Sequence, residues 1–253
     1  MHTGNPARFN SPFQGDVRDK GQVVELILQD GLRHARISCP VTLTPSPGQY
    51  LLASDASYTI LSLSKGSPLP VPVYYTDSAP QGFIAAPAPD SWNPGQEIYL
   101  RGPLGRGFTL PASARKIALV AFDESPSRLR GLIQPALSQG AAVVLVTDSV
   151  AENLPDDVEV QPLSALTEIL EWADYIAFDV ARENLPGLME RLGKQNHSSA
   201  LRDAQVLIRT PVPCGGVAEC GVCAVTTKSG WKMACKEGPV FELFDFPSPI
   251  GRG

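Results

Sequence analysis

The sequence predicts three parts in order: a small antiparallel β-barrel or sandwich, a small parallel α/β domain, and a C-terminal segment organised by cysteines. Three observations predict this. From about Gly21 to Leu110, short apolar runs are broken by Pro and Gly, the pattern of many short strands. Beyond Ala112, apolar strands alternate with stretches of helical spacing, which implies a parallel sheet with crossover helices. Four of the five cysteines then fall between Cys214 and Cys235.

Residues 1–15 read as a flexible tail with no apolar signal core. The first folded part spans 16–111. Its strands are expected at Gln22–Gln29, Ala35–Ser38, Tyr50–Ala53, Tyr58–Leu63, Val71–Tyr75, Gly82–Ala86 and Glu97–Arg101, with turns at Pro47-Gly48 and Pro94-Gly95. The chain holds 24 prolines in 253 residues, about twice the ordinary share, which favours turns and short edge strands over long helices.

The second part spans 112–204. Lys116–Ala121 and Ala141–Thr147 are buried-type strands. Ser127–Ser138 has helical spacing despite Pro135. Ser164–Trp172 reads as a helix, Tyr175–Val180 as a strand and Leu185–Leu192 as a helix. Asp156, Asp157 and Glu159 read as an acidic loop, and Glu168 and Glu171 as a solvated helix face. Gln205–Thr210 is one more strand, and opens the third part, 205–253.

Composition narrows the function. A 43% apolar and 19% charged chain has material for real cores. A net charge of −5 without a basic run argues against nucleic acid as a partner. The longest apolar runs, such as Ile117–Ala121 and Ala141–Val146, are too short to span a bilayer. The lack of an export signal points to the cytoplasm, where thiols stay reduced and clustered cysteines suggest metal ligation.

The cysteine spacing is Cys214-x5-Cys220-x2-Cys223-x11-Cys235. Thiolates are soft ligands suited to iron-sulfur clusters and to zinc. A Cys-x2-Cys pair converges on one centre, and a third ligand upstream and a fourth across a short hairpin complete a four-thiolate cage. Ala224–Lys228 and Trp231–Ala234, joined by Ser229-Gly230, form that hairpin. Gly215, Gly216 and Gly221 let backbone N–H groups approach cluster sulfur. The spacing favours a [2Fe-2S] cluster. Structural zinc is the first competing reading, although it usually shows two close cysteine pairs and here there is one. Two disulfides are the second, disfavoured by the compartment. Cys39 stands apart and reads as a small buried hydrophobe.

At this point the sequence resembles a known family. PCGGVAECGVCAV followed by WKMACKEGPVF resembles the C-terminal cluster segment of the dihydroorotate dehydrogenase electron transfer subunits, a branch of the ferredoxin-NADP reductase superfamily. The first cysteine interval is one residue longer than the common version. Pro47-Gly48-Gln49-Tyr50 resembles the family's PGQF turn. Gly102-Pro103-Leu104-Gly105-Arg106-Gly107-Phe108 resembles its GPLGxGF junction. The resemblance implies a flavin-binding-like barrel, a nucleotide-binding-like α/β domain and a cluster segment, with Cys214, Cys220, Cys223 and Cys235 as metal ligands.

The departures are as informative. The family's Arg-x-Tyr-Ser/Thr flavin motif is expected at Ala56-Ser57-Tyr58-Thr59, where the cation is missing. Tyr58 and Thr59 remain as candidate flavin contacts, so the resemblance leaves FAD as a candidate cofactor. The family's Gly-x-Gly-Thr phosphate loop is absent from the Tyr75–Gln81 region. After Ile117–Ala121 the family has a Gly-rich turn, and here Phe122-Asp123-Glu124-Ser125-Pro126 puts two carboxylates where a pyrophosphate would lie. NAD(P) binding is therefore not expected. The later Cys-Gly-Pro motif is replaced by Phe178-Asp179-Val180-Ala181.

Two functional readings follow. In one, the chain is an iron-sulfur electron transfer subunit that exchanges single electrons with a flavin- or metal-containing oxidoreductase subunit. In the other, it is mainly a structural or assembly subunit on a degenerate reductase scaffold. A full FAD and [2Fe-2S] reductase linked to NAD(P)H is the remaining alternative. Gly102-x2-Gly105-x-Gly107 lacks the Lys-Ser/Thr of a phosphate loop and reads as a structural turn. His2, His34 and His197 are scattered, so no hydrolytic triad can be argued. Trp231 reads as a packing residue of the cluster hairpin, with a partner contact as the lesser alternative.

Overall fold

The computed structural model describes residues 17–55, 70–193 and 201–247. The first part closes into a barrel of six antiparallel strands: β1 (Val17–Gln29), β2 (Leu32–Ser38), β3 (Tyr50–Asp55), β4 (Val71–Ala79), β5 (Gly82–Ala86) and β6 (Glu97–Leu104), in the order β1-β2-β5-β4-β3-β6. Closure, rather than a sandwich, removes every exposed strand edge. Period-2 alternation fills the interior. In β6, Ile98 and Leu100 point inward with Val23, Ile37, Leu51, Val73 and Phe83, while Tyr99 and Arg101 lie on the outer face. Trp92 is buried against the same core. The β1–β2 hairpin turns on Asp30-Gly31, both at positive φ, as a tight hairpin of right-handed twist requires. The strand expected at Tyr58–Leu63 lies outside the described residues.

The second part is a six-stranded sheet in the order β14-β11-β10-β7-β8-β9. Its parallel strands are β7 (Lys116–Ala121), β8 (Ala142–Val146), β9 (Val158–Gln161), β10 (Tyr175–Ala181) and β11 (Gln205–Arg209). Apolar side chains on both faces explain the unbroken hydrophobic runs of β7, β8 and β10, and β10 is buried throughout. Helices α1 (Ile133–Ser138), α2 (Leu166–Trp172) and α3 (Leu185–Gly193) pack on the faces.

Two details differ from the sequence reading. Ser127–Ser138 begins as a 3-10 turn over Pro126–Leu132, capped by the Ser125 hydroxyl. Pro135 then sits in the first turn of α1, where its missing N–H removes no helical bond. The expected acidic loop contains strand β9. Asp156 and Asp157 form the turn before it, Val158 is buried, and Glu159 points outward from the sheet edge.

The cysteine segment is woven into this sheet. Its hairpin is β12 (Ala224–Thr227) and β13 (Gly230–Met233), and Cys235 follows on the single turn α4 (Ala234–Glu237). The chain then returns as β14 (Val240–Glu242), antiparallel to β11. Cys223, Val225, Cys235 and Phe241 join the core on one face of the sheet. The family-like motifs meet in space. Arg106 N–H donates to the Gly238 carbonyl at 2.6 Å. A Cβ at Gly105 would lie 2.5 Å from the Gly238 oxygen and from Pro239, and one at Gly48 would lie 2.6 Å from Val240. Only glycine permits either approach.

Candidate metal centre and its surroundings

Four residues of the loop between β11 and β12 have positive φ: Gly215 (66°), Gly216 (76°), Ala218 (63°) and Gly221 (70°). Such a run curls the backbone so that successive N–H groups face inward, a nest suited to anionic sulfur. The backbone N–H groups of Val217, Glu219 and Cys220 act to lower the Cys214 thiol, and that of Ala218 to lower the Cys235 thiol. Ala218 is the one residue of this run without the freedom of glycine. Nothing in its type announces that it belongs to the nest.

The thiols form two pairs, Cys214 with Cys220 and Cys223 with Cys235, and the field of Cys214 reaches Cys235. Among the described residues no three Cys, His, Asp or Glu side chains gather round one point. The pairs sit in different surroundings. Cys220 is exposed and Cys214 half-buried, whereas Cys223 and Cys235 are buried. Burial pushes the Cys214 thiol up, but Cys220 and the backbone donors outweigh it and leave it lowered to about 6. Burial and the adjacent Cys223 thiol raise Cys235 to about 12. A soft four-thiol set inside a nest of N–H donors fits an iron-sulfur cluster.

Both larger domains hold this loop. From the barrel, the buried Tyr50 hydroxyl donates to the Cys235 carbonyl at 2.9 Å, and Arg101 donates to the Gly215 carbonyl. From the α/β domain, Arg182 donates to the carbonyls of Val222 and Ala224. A Cβ at Gly216 would lie 3.2 Å from the Arg101 guanidinium and 3.3 Å from the Tyr50 hydroxyl. Tyr50, Arg101 and Arg182 were not singled out from the sequence, because strand and turn patterns do not say which outward side chains meet a distant loop. The PGQY resemblance was the one signal that touched Tyr50.

The crevice at the C-terminal ends of β7, β10 and β11 is filled from within. Arg209 donates from Nε to Asp179 Oδ1 at 2.8 Å and pairs with Asp123 and Glu124. Arg128 reaches Asp179 Oδ2 at 3.4 Å and Glu124 at 3.6 Å. Asp123 also accepts from the Ala181 N–H at 2.8 Å and from Asn184 at 2.7 Å. Burial pushes the Asp179 carboxyl up to about 6 against the pull of Arg128, and lowers the Arg209 guanidinium to about 10. The two acids of the Phe122–Pro126 turn are therefore not bare charges awaiting a phosphate. They are engaged in a network that occupies the crevice.

The cleft between barrel and α/β domain is closed in the same way. The Arg128 guanidinium lies over the Tyr74 ring, 5.3 Å from its centre. A Cβ at Gly131 would lie 2.6 Å from the Tyr75 ring. Asp30, in the β1–β2 turn, accepts from Arg130 at 3.1 and 3.2 Å, from Ser127 at 3.3 Å and from the Glu152 N–H at 2.9 Å. Buried His34 bonds Ser127 and the Gln29 carbonyl, each at 3.1 Å.

Several expected residues fall elsewhere. Ala56, Ser57, Tyr58 and Thr59 lie outside the described residues. Trp231 is 77% exposed, so it is not a packing residue: among the described residues no layer covers that face of the two-stranded hairpin. Cys39 lies at the edge of the barrel core and is half-buried rather than buried, and desolvation raises its thiol to about 11. Among the described residues no helix is long and apolar enough to cross a membrane.

Comparison with known proteins gives a domain match for the cysteine segment. Residues 214–246 match the iron-sulfur cluster binding domain of dihydroorotate dehydrogenase B. Over 165 residues the chain is 27% identical to the electron transfer subunit of dihydroorotate dehydrogenase B (NAD(+)) from Clostridium perfringens, covering 58% of this chain and 65% of that protein. Over 193 residues it is 25% identical to the sulfhydrogenase 1 subunit gamma of Pyrococcus furiosus, covering 62% and 65%. The matches thus span just under two thirds of each relative. Among solved structures, the NADH-dependent reduced ferredoxin-NADP oxidoreductase, studied for flavin-based electron bifurcation, superposes with a TM-score of 0.66 over 90% of both chains at 16% identity. That likeness concerns the fold.

Proposed function

We propose that this chain, which belongs with the dihydroorotate dehydrogenase electron transfer subunits, carries a [2Fe-2S] cluster on Cys214, Cys220, Cys223 and Cys235 and exchanges single electrons with a partner oxidoreductase subunit. The observation that carries the proposal is the grouping of four thiols as two neighbouring pairs, with N–H groups of residues 217–220 directed at sulfur. Two pairs suit two irons, and when bound the cluster supplies one-electron chemistry. The residues of the chain position it. Cys223 and Cys235 anchor one side in the core of the α/β domain. Cys214 and Cys220 present the other side toward solvent, where a partner can approach. Tyr50 and Arg182 fix the loop to the two domains.

The partner in this reading is a flavin- or metal-containing subunit, and the compartment is the cytoplasm. The filled crevice and closed cleft support a subunit that takes electrons from its partner and not from NAD(P)H. They also support a partner as the main seat of any flavin. Iron, acid-labile sulfide and the visible spectrum of anaerobically purified protein test the proposal. About two irons with matching sulfide are expected. One zinc per chain without visible absorbance overturns it. Stoichiometric FAD released on denaturation would favour the fuller FAD and [2Fe-2S] reductase over this reading.

A further inference from the structure

The Tyr50 hydroxyl stands where the two sides of the cysteine loop meet. Tyr50 opens β3, paired with Tyr74 of β4 on one side and with Leu104 of β6 on the other. Its side chain is buried among Leu52, Tyr74, Leu104, Leu207 and Val240, so residues of the barrel and of the α/β sheet both fix its ring. The Tyr74 ring lies 5.6 Å away, centre to centre, tilted by 41°. A phenol is protonated at neutral pH, and burial pushes this one further up, so the hydroxyl remains a donor. It donates to the Cys235 carbonyl at 2.9 Å. The PGQF turn that Pro47-Gly48-Gln49-Tyr50 resembles ends on Phe, so this hydroxyl is the chemistry that Tyr50 adds.

Cys235 needs such a partner. It sits on α4, a single turn of four residues, too short to satisfy its carbonyls internally. The Ala234 N–H donates to the Cys223 carbonyl at 3.1 Å, which ties the backbones of the two buried cysteines together. Tyr50 then ties that pair to the barrel. The same hydroxyl reaches the other side of the loop: a Cβ at Gly216, two residues after Cys214, would lie 3.3 Å from it. One rigid polar group thus bonds the backbone on the Cys235 side and stands against it on the Cys214 side. We infer that Tyr50 is a positioning residue for the cluster, one that fixes the spacing between the Cys214 side and the Cys235 side of its cage. The inference rests on the cluster reading above and adds a residue that governs how firmly the cluster is held. Outer groups that orient the ligands of a metal strengthen its binding without touching it.

The test uses the full chain, purified anaerobically, as wild type, Tyr50→Phe and Tyr74→Phe. Iron and sulfide analysis of the wild type comes first. Their absence sinks the cluster reading itself and is thereby separated from failure of the positioning role. Tyr50→Phe keeps the ring and removes only the hydroxyl. It is expected to lose iron to a chelator about tenfold faster than wild type, the lower end of what removing a ligand-orienting group costs. It should also shift the electron paramagnetic resonance spectrum of the reduced cluster. Tyr74→Phe removes a buried hydroxyl from the adjacent ring and should leave both readouts as in wild type. A Tyr50→Phe chain that folds but takes up no cluster supports the inference in its strongest form. An unchanged release rate and spectrum in Tyr50→Phe overturn it, even if denaturation shows a loss of stability. So does a Tyr50→Phe chain without a cooperative unfolding transition, because the hydroxyl would then serve the fold at large. Equal acceleration of iron loss in Tyr74→Phe overturns it as well.

Discussion

The cysteine loop and the charged crevice of the α/β sheet are both places where a reductase-like scaffold could hold a cofactor, and they are built in opposite ways. The loop keeps most of its side chains small and turns its backbone donors inward, and its four cysteines are free thiols. The crevice holds its own ion pairs. Arg209 and Arg128 pair with Asp123, Glu124 and Asp179 across it. The same contrast separates the loop from the domain cleft, where Asp30, Arg130, Ser127 and His34 bind one another. A site stays available when its polar groups lack internal partners. It is lost when evolution or chance supplies them, even if the surrounding fold is unchanged.

The largest effect that would sharpen this comparison is at the cysteines. Cys220→Ser or Cys223→Ser should abolish bound iron and visible absorbance, while Cys39→Ser should leave both intact. A cluster that survives either loop substitution would remove the proposed ligand set.

The next effect is on stability. Arg209→Met removes the principal cation from a network whose Asp179 is almost fully buried. Breaking such a buried set by removing one partner costs about 3–5 kcal/mol. Chemical denaturation should show that loss as a lower midpoint with an unchanged slope. A change under about 1 kcal/mol would mean that water already reaches these groups and that the crevice is open.

The third effect is an absence that binding measurements can contradict. Calorimetric titration with NADH or NADPH should give no micromolar affinity. Micromolar binding would show that the nucleotide displaces the network, which would erase the contrast between loop and crevice.

The smallest effect concerns pH. Burial, opposed by Asp30 and the Gln29 carbonyl and aided by Arg130 and Arg128, holds His34 below its ordinary value in the folded chain. The unfolded chain then binds the extra proton first as pH falls. The neutral-His34 contribution is therefore full above about pH 6.5, declines as pH drops toward the lowered folded value, and levels off below it. Comparing denaturation at about pH 7.5 and 5.5 should show a shallower decline in His34→Gln than in wild type. Equal declines would remove His34 from the domain cleft as a titrating group.

Much of the architecture was legible in the chain. Period-2 runs broken by Pro and Gly marked the barrel strands, and unbroken runs such as Ile117–Ala121 marked strands covered on both faces. These signals are local. Strand β9 was missed because it is four residues long with an acidic residue at its outward position, so it looks like a loop until a neighbour pairs with it. Strand β14 was missed because three residues after Gly238-Pro239 carry no periodicity.

The sequence by itself determined the ligand set worth testing, since four thiols at that spacing with glycines between them form a chemical pattern that needs no coordinates. It also determined that the glycine-rich nucleotide turn is absent. Only the tertiary structure decided that Cys223 and Cys235 are buried while Cys214 is half-buried and Cys220 exposed, that Arg101 and Tyr50 reach the loop from the barrel, and that Arg209, 86 positions beyond Asp123, pairs across the crevice. The physical reason is range. Residue type and spacing fix local backbone and ligand chemistry, but which charges become partners depends on segments brought together by the packing of whole domains.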